Sequence, residues 1–177
     1  IKIIFIRLIS FFLTTILYST NIFENVEYIF SVDREDIRAG ETISISADIK
    51  IDNGFHIYSS HPDLSLSPSY FEWIDTTLFT SIGIISEPTP IIKYTDSFGM
   101  DIGKHVKDIV LTQDIVLARN IDPGEYKIEG TFIYQACDSI KCIPHWDDFL
   151  IKIDLQPVLA RHTFIRSIVT EYPDKNS

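Results

Sequence analysis

The sequence predicts an all-β chain: an immunoglobulin-like β-sandwich of about seven to nine strands, preceded by an N-terminal hydrophobic signal segment. Three observations lead there. Apolar and polar residues alternate with a period of two over several segments. Turn residues separate those segments at roughly ten-residue spacing. Between residues 26 and 155 no stretch shows the three-to-four spacing of an amphipathic helix.

The elements follow in order. Residues 1–19, IKIIFIRLISFFLTTILYS, carry Lys2 and Arg7 as their only charges, ahead of the apolar run Leu8 to Tyr18. A charged start and a short apolar run make the pattern of a secretory signal peptide, with an uncleaved anchor as the alternative. The rest of the chain is then expected to be exported. The sandwich domain is expected over 20–155, with 156–177 as a C-terminal tail or linker. Thr42 to Ile51, TISISADIKI, alternates strictly: Ile43, Ile45, Ala47, Ile49 and Ile51 face one way. Asp52-Asn53-Gly54 supplies a turn. Short aromatic strands follow at 55–59 and 70–74, on either side of a Pro- and Ser-rich loop. Further strands are expected at 82–86 and 109–118. The turn Asp122-Pro123-Gly124 opens a strand in which Tyr126, Ile128, Gly130, Phe132 and Tyr134 share one face. Phe149, Ile151, Ile153 and Leu155 repeat the pattern.

The chain has 177 residues, 45% hydrophobic and 23% charged, which suits one globular domain with its own core. Seven Gly and eight Pro, both ordinary, and 12% aromatic residues exclude collagen-like, coiled-coil and disordered classes. The net charge of −10 argues against nucleic acid, which needs a basic face. Removing residues 1–19 takes away two cations and no anions, so the remainder is more acidic still. The many Asp and Glu read as a solvated face. His61, His105 and His162 read as solvent-facing, and Trp73 and Trp146 as packing residues.

The chemistry rests on Cys137 and Cys142, in YQACDSIKCIPHW. Cys137 ends one expected strand. A four-residue hairpin would place Cys142 opposite it, where cross-strand Cα atoms sit about 4.5 Å apart. That spacing admits a disulfide, and an exported chain meets the oxidising conditions in which one persists. A loop this short contributes only about 2 kcal/mol by chain entropy. Three readings stay open: a structural disulfide, a redox pair, or a metal site. For the last, Cys137, Cys142 and His145 form C-x4-C-x2-H, with His56 as a possible fourth ligand. An excess of Asp138, Asp147 and Asp148 over Lys141 disfavours a thiolate and predicts a sluggish thiol.

Residues 124–137, ending Tyr134-Gln135-Ala136-Cys137, and then Cys142-Ile143-Pro144, resemble the N-terminal domain of the thiol:disulfide interchange protein DsbD family. Two upstream stretches are similar as well. Gly54-Phe55-His56-Ile57-Tyr58 looks like the family's aromatic strand near its cysteines. Tyr94-Thr95-Asp96-Ser97-Phe98-Gly99 looks like its cap loop. The likeness spans roughly residues 26–155. It implies an immunoglobulin-like module in the periplasm, free or anchored to the inner membrane, with thiol–disulfide oxidoreductase activity as an electron relay. Its only redox group would be the disulfide, with no added cofactor or metal. A thioredoxin-like donor would reduce the pair. Oxidised periplasmic proteins, of the disulfide isomerase or cytochrome c maturation type, would accept the electrons. Cys142 would form the mixed disulfide and Cys137 would resolve it. Phe98 would cap the sulfurs, with Asp96 beside it. Tyr58, His56, Tyr134, Gln135 and Pro144 would line the site. Full-length members also carry a membrane electron-transfer domain and a thioredoxin domain with CxxC. The spacing here is CxxxxC, so the donor is expected outside the sandwich. The runner-up reading is a non-catalytic exported binding module whose disulfide pins a hairpin.

Overall fold

A computed structural model describes residues 25–172. The segment read as a signal, residues 1–19, lies outside the described residues. So do residues 173–177.

The strict alternation of Thr42–Ile51 makes it the spine of the first sheet. This strand, β2, pairs antiparallel with β1 (Val26–Val32) on one side and β8 (Ile109–Leu117) on the other. Strand β5 (Phe79–Ser86) closes the order β1-β2-β8-β5. Ile43, Ile45, Ala47 and Ile49 are buried, as the period of two requires. The second sheet has the order β10-β9-β4, from β4 (Tyr70–Trp73), β9 (Gly124–Cys137) and β10 (Cys142–Leu155). A third, smaller sheet has the order β3-β7-β6, from β3 (Ile57–Tyr58), β6 (Ile91–Thr95) and β7 (Met100–His105). The fold is all-β, with antiparallel pairing throughout the three sheets. Among the described residues the helical turns are short 3-10 pieces at Pro62–Leu64 and His162–Phe164. No helix among them is long and apolar enough to cross a membrane.

The first two sheets face each other across one apolar core. Phe30 of β1 stacks on Phe149 of β10 with ring centroids 3.8 Å apart, and Tyr28 meets Phe132 edge-on at 5.2 Å. Gly130 marks where the sheet is tightest. A Cβ there would lie 2.7 Å from Phe149 Cζ and 2.8 Å from the Glu72 carbonyl oxygen, so only glycine fits.

The described residues hold ten strands, more than the sequence predicts. β1 is hidden in the pattern because Ile29 stands outward, 71% exposed, between Tyr28 and Phe30. β6 has no buried face at all: Ile91, Ile92, Lys93 and Tyr94 are all exposed, so no alternation exists to be read. The stretch expected as a cap loop, residues 94–99, is accordingly one-third strand. Tyr94 and Thr95 end β6, and Asp96 to Gly99 form the turn into β7.

Residues 156–172 run over the first sheet. Arg161 donates from its backbone N and its Nε to Glu41 Oε1, at 2.8 and 2.9 Å. The Arg34 and Arg161 guanidinium groups lie 3.9 and 4.4 Å from the centroid of the Phe164 ring. Ile84 N donates to the Val169 carbonyl oxygen at 2.7 Å. Tyr172 Oη donates to the Ser60 carbonyl oxygen at 3.1 Å.

Two expectations about charged residues are corrected here. Glu41 is fully buried and Glu87 mostly so, rather than on a solvated face, because each is met by cationic or donor groups. His105, expected in solvent, is buried, and its Nε2 lies 3.0 Å from Glu87 Oε2.

Candidate functional site

The longest hairpin of the described residues carries the cysteines at its tip. β9 and β10 each have 14 residues, and their ladder runs from Gly124–Leu155 at one end to Cys137–Cys142 at the other. The two cysteines stand directly opposite, Cα atoms 4.0 Å apart, and their sulfurs are bonded. Asp138 N donates to the Lys141 carbonyl oxygen at 2.9 Å and closes the turn. Asp138 Oδ1 accepts from the backbone N of Ile140 and Lys141 at 2.6 and 2.8 Å. Those hydrogen bonds hold the Asp138 carboxyl below its usual value, so a fixed negative charge sits beside the bridge.

On its other side, Cys137 meets a third segment. His56 and Cys137 exchange both backbone hydrogen bonds, each at 2.9 Å. The turn at Asp52-Asn53-Gly54 delivers His56 there: Phe55 N donates to the Asp52 carbonyl oxygen at 3.0 Å, and Gly54 takes φ +90. Residues paired opposite one another share a face. His56, Cys137 and Cys142 therefore point to one side of the sheet. Tyr58, two residues on, joins them. Its Oη lies 3.6 Å from Cys142 Sγ, and its ring meets that of His56 edge-on at 5.7 Å. Burial, followed by the charge of Lys104, holds the His56 imidazole below its usual value.

The two sulfurs are unequally placed. Cys137 is fully buried, whereas Cys142 is exposed. An incoming thiolate can reach only the second in this conformation.

The structure brings together His56, Tyr58, Cys137 and Cys142. Gln135 and Pro144 form the next cross-strand pair and share the same face by period. Tyr134 does not line that face. Out of phase with Cys137, it is buried toward the core, where it stacks on Phe132 at 4.6 Å and on His145 at 4.8 Å. It supports the site from beneath. His145 is on that same inner side, so Cys137, Cys142 and His145 do not converge as a metal set. Phe98 stands 54% exposed in the turn between β6 and β7, with Asp96 beside it. Among the described residues, no side-chain hydrogen bond or ring contact joins either of them to the sulfurs.

Two features escape the sequence. Glu87, Ser59 and His105 form a buried cluster behind β3: Ser59 Oγ and Ser60 N donate to the Glu87 carboxylate, the latter at 2.7 Å. Burial would raise the Glu87 carboxyl, but hydrogen bonds from His105, Ser59 and Ser60 outweigh it and hold the group low. The cluster draws on three separate segments, so no spacing announces it. Trp146 is the second. Expected as a packing residue, it is 63% exposed, because its place in the alternation puts it on the cysteine face.

No family profile and no curated protein sequence matches the chain. The chain is similar to solved DsbD N-terminal domains. The reduced form of that domain from Neisseria meningitidis aligns over 73% of this chain and 90% of its own length, at 14% identity and a TM-score of 0.42. The complex between the DsbD N-terminal and PilB N-terminal domains from the same organism aligns over 72% of this chain and 80% of that one, at 12% identity and a TM-score of 0.40.

Proposed function

We propose that the chain is an exported thiol:disulfide interchange module that relays reducing equivalents through Cys137 and Cys142. The observation that carries this is the asymmetry of the bridge: one sulfur in solvent, its partner buried, at the tip of a hairpin already held by a long ladder. Pinning that hairpin gains only about 2 kcal/mol from chain entropy. A bond with one accessible sulfur is suited to exchange.

A thiolate of the donor attacks Cys142 Sγ, the Cys137–Cys142 bond breaks, and Cys137 leaves as a thiolate that takes up a proton. The donor's second thiolate then attacks its own sulfur in the mixed disulfide. Cys142 is released as a thiolate, and the donor is left oxidised by two electrons. In the forward half, the Cys142 thiolate attacks an oxidised acceptor and Cys137 resolves the mixed disulfide, which restores the bridge and leaves the acceptor reduced. Tyr58 O–H is placed to donate to the Cys142 thiolate and favour its release. The neutral His56 ring, on the same face, is a local base for the proton of the Cys142 thiol when that sulfur attacks the acceptor. Asp138 opposes thiolate formation and keeps the free dithiol slow in the absence of a partner. Phe98 and Asp96 are assigned the capping role by resemblance alone.

The donor fits a thioredoxin-like domain and the acceptors fit oxidised periplasmic thiol proteins. The DsbD N-terminal domain in complex with the PilB N-terminal domain offers the parallel. Export to the periplasm follows from the charged and apolar residues 1–19.

The test is a pair of trapping variants. With Cys137 replaced by Ser, the Cys142 thiolate should attack a single-cysteine thioredoxin whose sulfur has been activated with thionitrobenzoate, so that thionitrobenzoate leaves and the mixed disulfide accumulates at Cys142. With Cys142 replaced by Ser, little should form at the buried Cys137. Equal trapping at both positions would refute the assigned order.

A further inference from the structure

The outer face of the second sheet continues past the disulfide as a series of cross-strand rungs. Register places Tyr70 opposite Ile133, and Ile133 opposite Trp146. The three span β4, β9 and β10 in one row on the cysteine side. Tyr70 is 41% exposed and Trp146 63% exposed, so the row presents two aromatic rings to solvent side by side with the disulfide face. The row lies four residues from the disulfide along the strands, roughly 13 Å at the usual rise. Two residues further, Glu72, Thr131 and Asp148 form the next rung, roughly 20 Å from Cys142. There Thr131 Oγ1 donates to Asp148 Oδ1 at 2.7 Å and holds that carboxylate in place.

From this spacing we infer that the Tyr70–Ile133–Trp146 row is the docking platform for the redox partner that exchanges at Cys142. The inference rests on the relay reading above. The partner it fits carries an apolar patch about 13 Å from its reactive cysteine and basic side chains about 20 Å from it. The acidic rung and the net charge of −10 select the basic rim. The apolar row supplies affinity in the manner of interface aromatics. Holding the partner on this face beside the exposed sulfur orients its thiolate toward Cys142 Sγ and leaves the buried Cys137 untouched. The residues thus decide which proteins exchange, not whether the disulfide can react.

The experiment uses the full chain in two arms. In the first, the Cys137→Ser protein is joined through Cys142 to a basic thioredoxin-like domain with a single cysteine, assembled chemically so that no catalysed exchange is needed. Hydroxyl-radical footprinting then compares Trp146 and Tyr70 with Leu159, 90% exposed on the segment that crosses the first sheet. Oxidation of Trp146 and Tyr70 should slow at least about fivefold in the conjugate, with Leu159 unchanged, as burial in an interface core implies. In the second arm, Trp146→Ser should slow exchange with the basic domain about tenfold, a typical loss for an interface anchor. Reduction by dithiothreitol should be unaffected, and Trp146→Phe should recover most of the rate. Asp148→Lys should shrink the advantage of the basic domain over an acidic one, and salt should do the same.

Undiminished Trp146 oxidation in the conjugate overturns the proposal. So does an equal loss of rate with dithiothreitol, which marks a structural effect. Shielding of Trp146 in the free protein, with a dimer in sedimentation, assigns the face to a second copy and overturns it too. Failure of the relay reading itself shows separately, as a wild-type disulfide that dithiothreitol and both thioredoxin-like domains leave intact.

Discussion

The two ends of the β9–β10 hairpin solve opposite problems. At the Leu155 end, Gln156 N donates to the Ile37 carbonyl oxygen at 2.9 Å, and Glu41 is saturated by Arg34 and Arg161. At the Cys142 end, roughly 40 Å away at the usual strand rise, the chain stops in a tight turn with a sulfur in solvent. One end ties three segments together and leaves no carboxylate oxygen of Glu41 unused. The other leaves its most reactive bond uncovered on one side. Buried charge is stabilising only when fully paired, and the first end meets that condition. Exchange chemistry needs access, and the second end provides it. The difference separates stability from reactivity within one hairpin: the anchor can be rigid because the site is elsewhere.

Four predictions press on that contrast. The largest effect belongs to the anchor. Burial would raise the Glu41 carboxyl, but hydrogen bonds from Arg161 and Arg34 win and lower it to about 2 from 4.5. A carboxylate lowered in the fold stabilises above its unfolded value and loses that stabilisation as pH falls through its folded value. Stability should therefore drop by about 3 kcal/mol between pH 4.5 and 2 on this account alone. Glu41→Gln should lose a similar amount at pH 7 in urea unfolding and flatten the acid limb. Exchange by the folded variant should keep its wild-type rate. A loss of exchange that outruns the loss of folded protein would show that the two ends are coupled.

Next comes the bridge itself. Reducing it, or replacing Cys142 by Ser, should cost only about 2 kcal/mol in the same unfolding assay while abolishing exchange. A cost above about 5 kcal/mol would make the disulfide a staple and blur the contrast.

Tyr58→Phe should have a smaller effect, confined to the site. Removing the hydroxyl near Cys142 Sγ should raise the thiol's titration point in the reduced protein. It should also slow alkylation a few-fold near neutral pH, as one lost hydrogen bond of about 1 kcal/mol implies. Identical titration curves for the two proteins would remove Tyr58 from the chemistry.

The smallest effect concerns His56. Its value is held below 6.5 by burial, so protonation opposes folding and stability should decline as pH falls below that point. His56→Gln should make that decline shallower, with the wild-type slope surviving only if His56 is not the group responsible.

The sequence made much of this legible, for physical reasons that differ by residue. Ile43 to Ile51 could be read because one face is buried and period two has no competitor. Cys137 and Cys142 could be paired because a turn this short leaves little freedom of register. β6 was invisible because neither of its faces is buried. His105 was misjudged because its partner, Glu87, lies on another segment and only the fold joins them. Trp146 differs for the opposite reason: it reads as a packing residue by type, but its phase with Cys142 sets it outside. The phase was there to be read, and composition was the weaker guide.

The most direct test of the central claim, that this disulfide is built to exchange, is its reduction potential in the intact protein. It is measured by equilibration in glutathione and dithiothreitol buffers with thiol trapping. The account predicts a value near about −200 mV, in the range of exchange-active pairs. A value below about −300 mV, where structural disulfides lie, would contradict it.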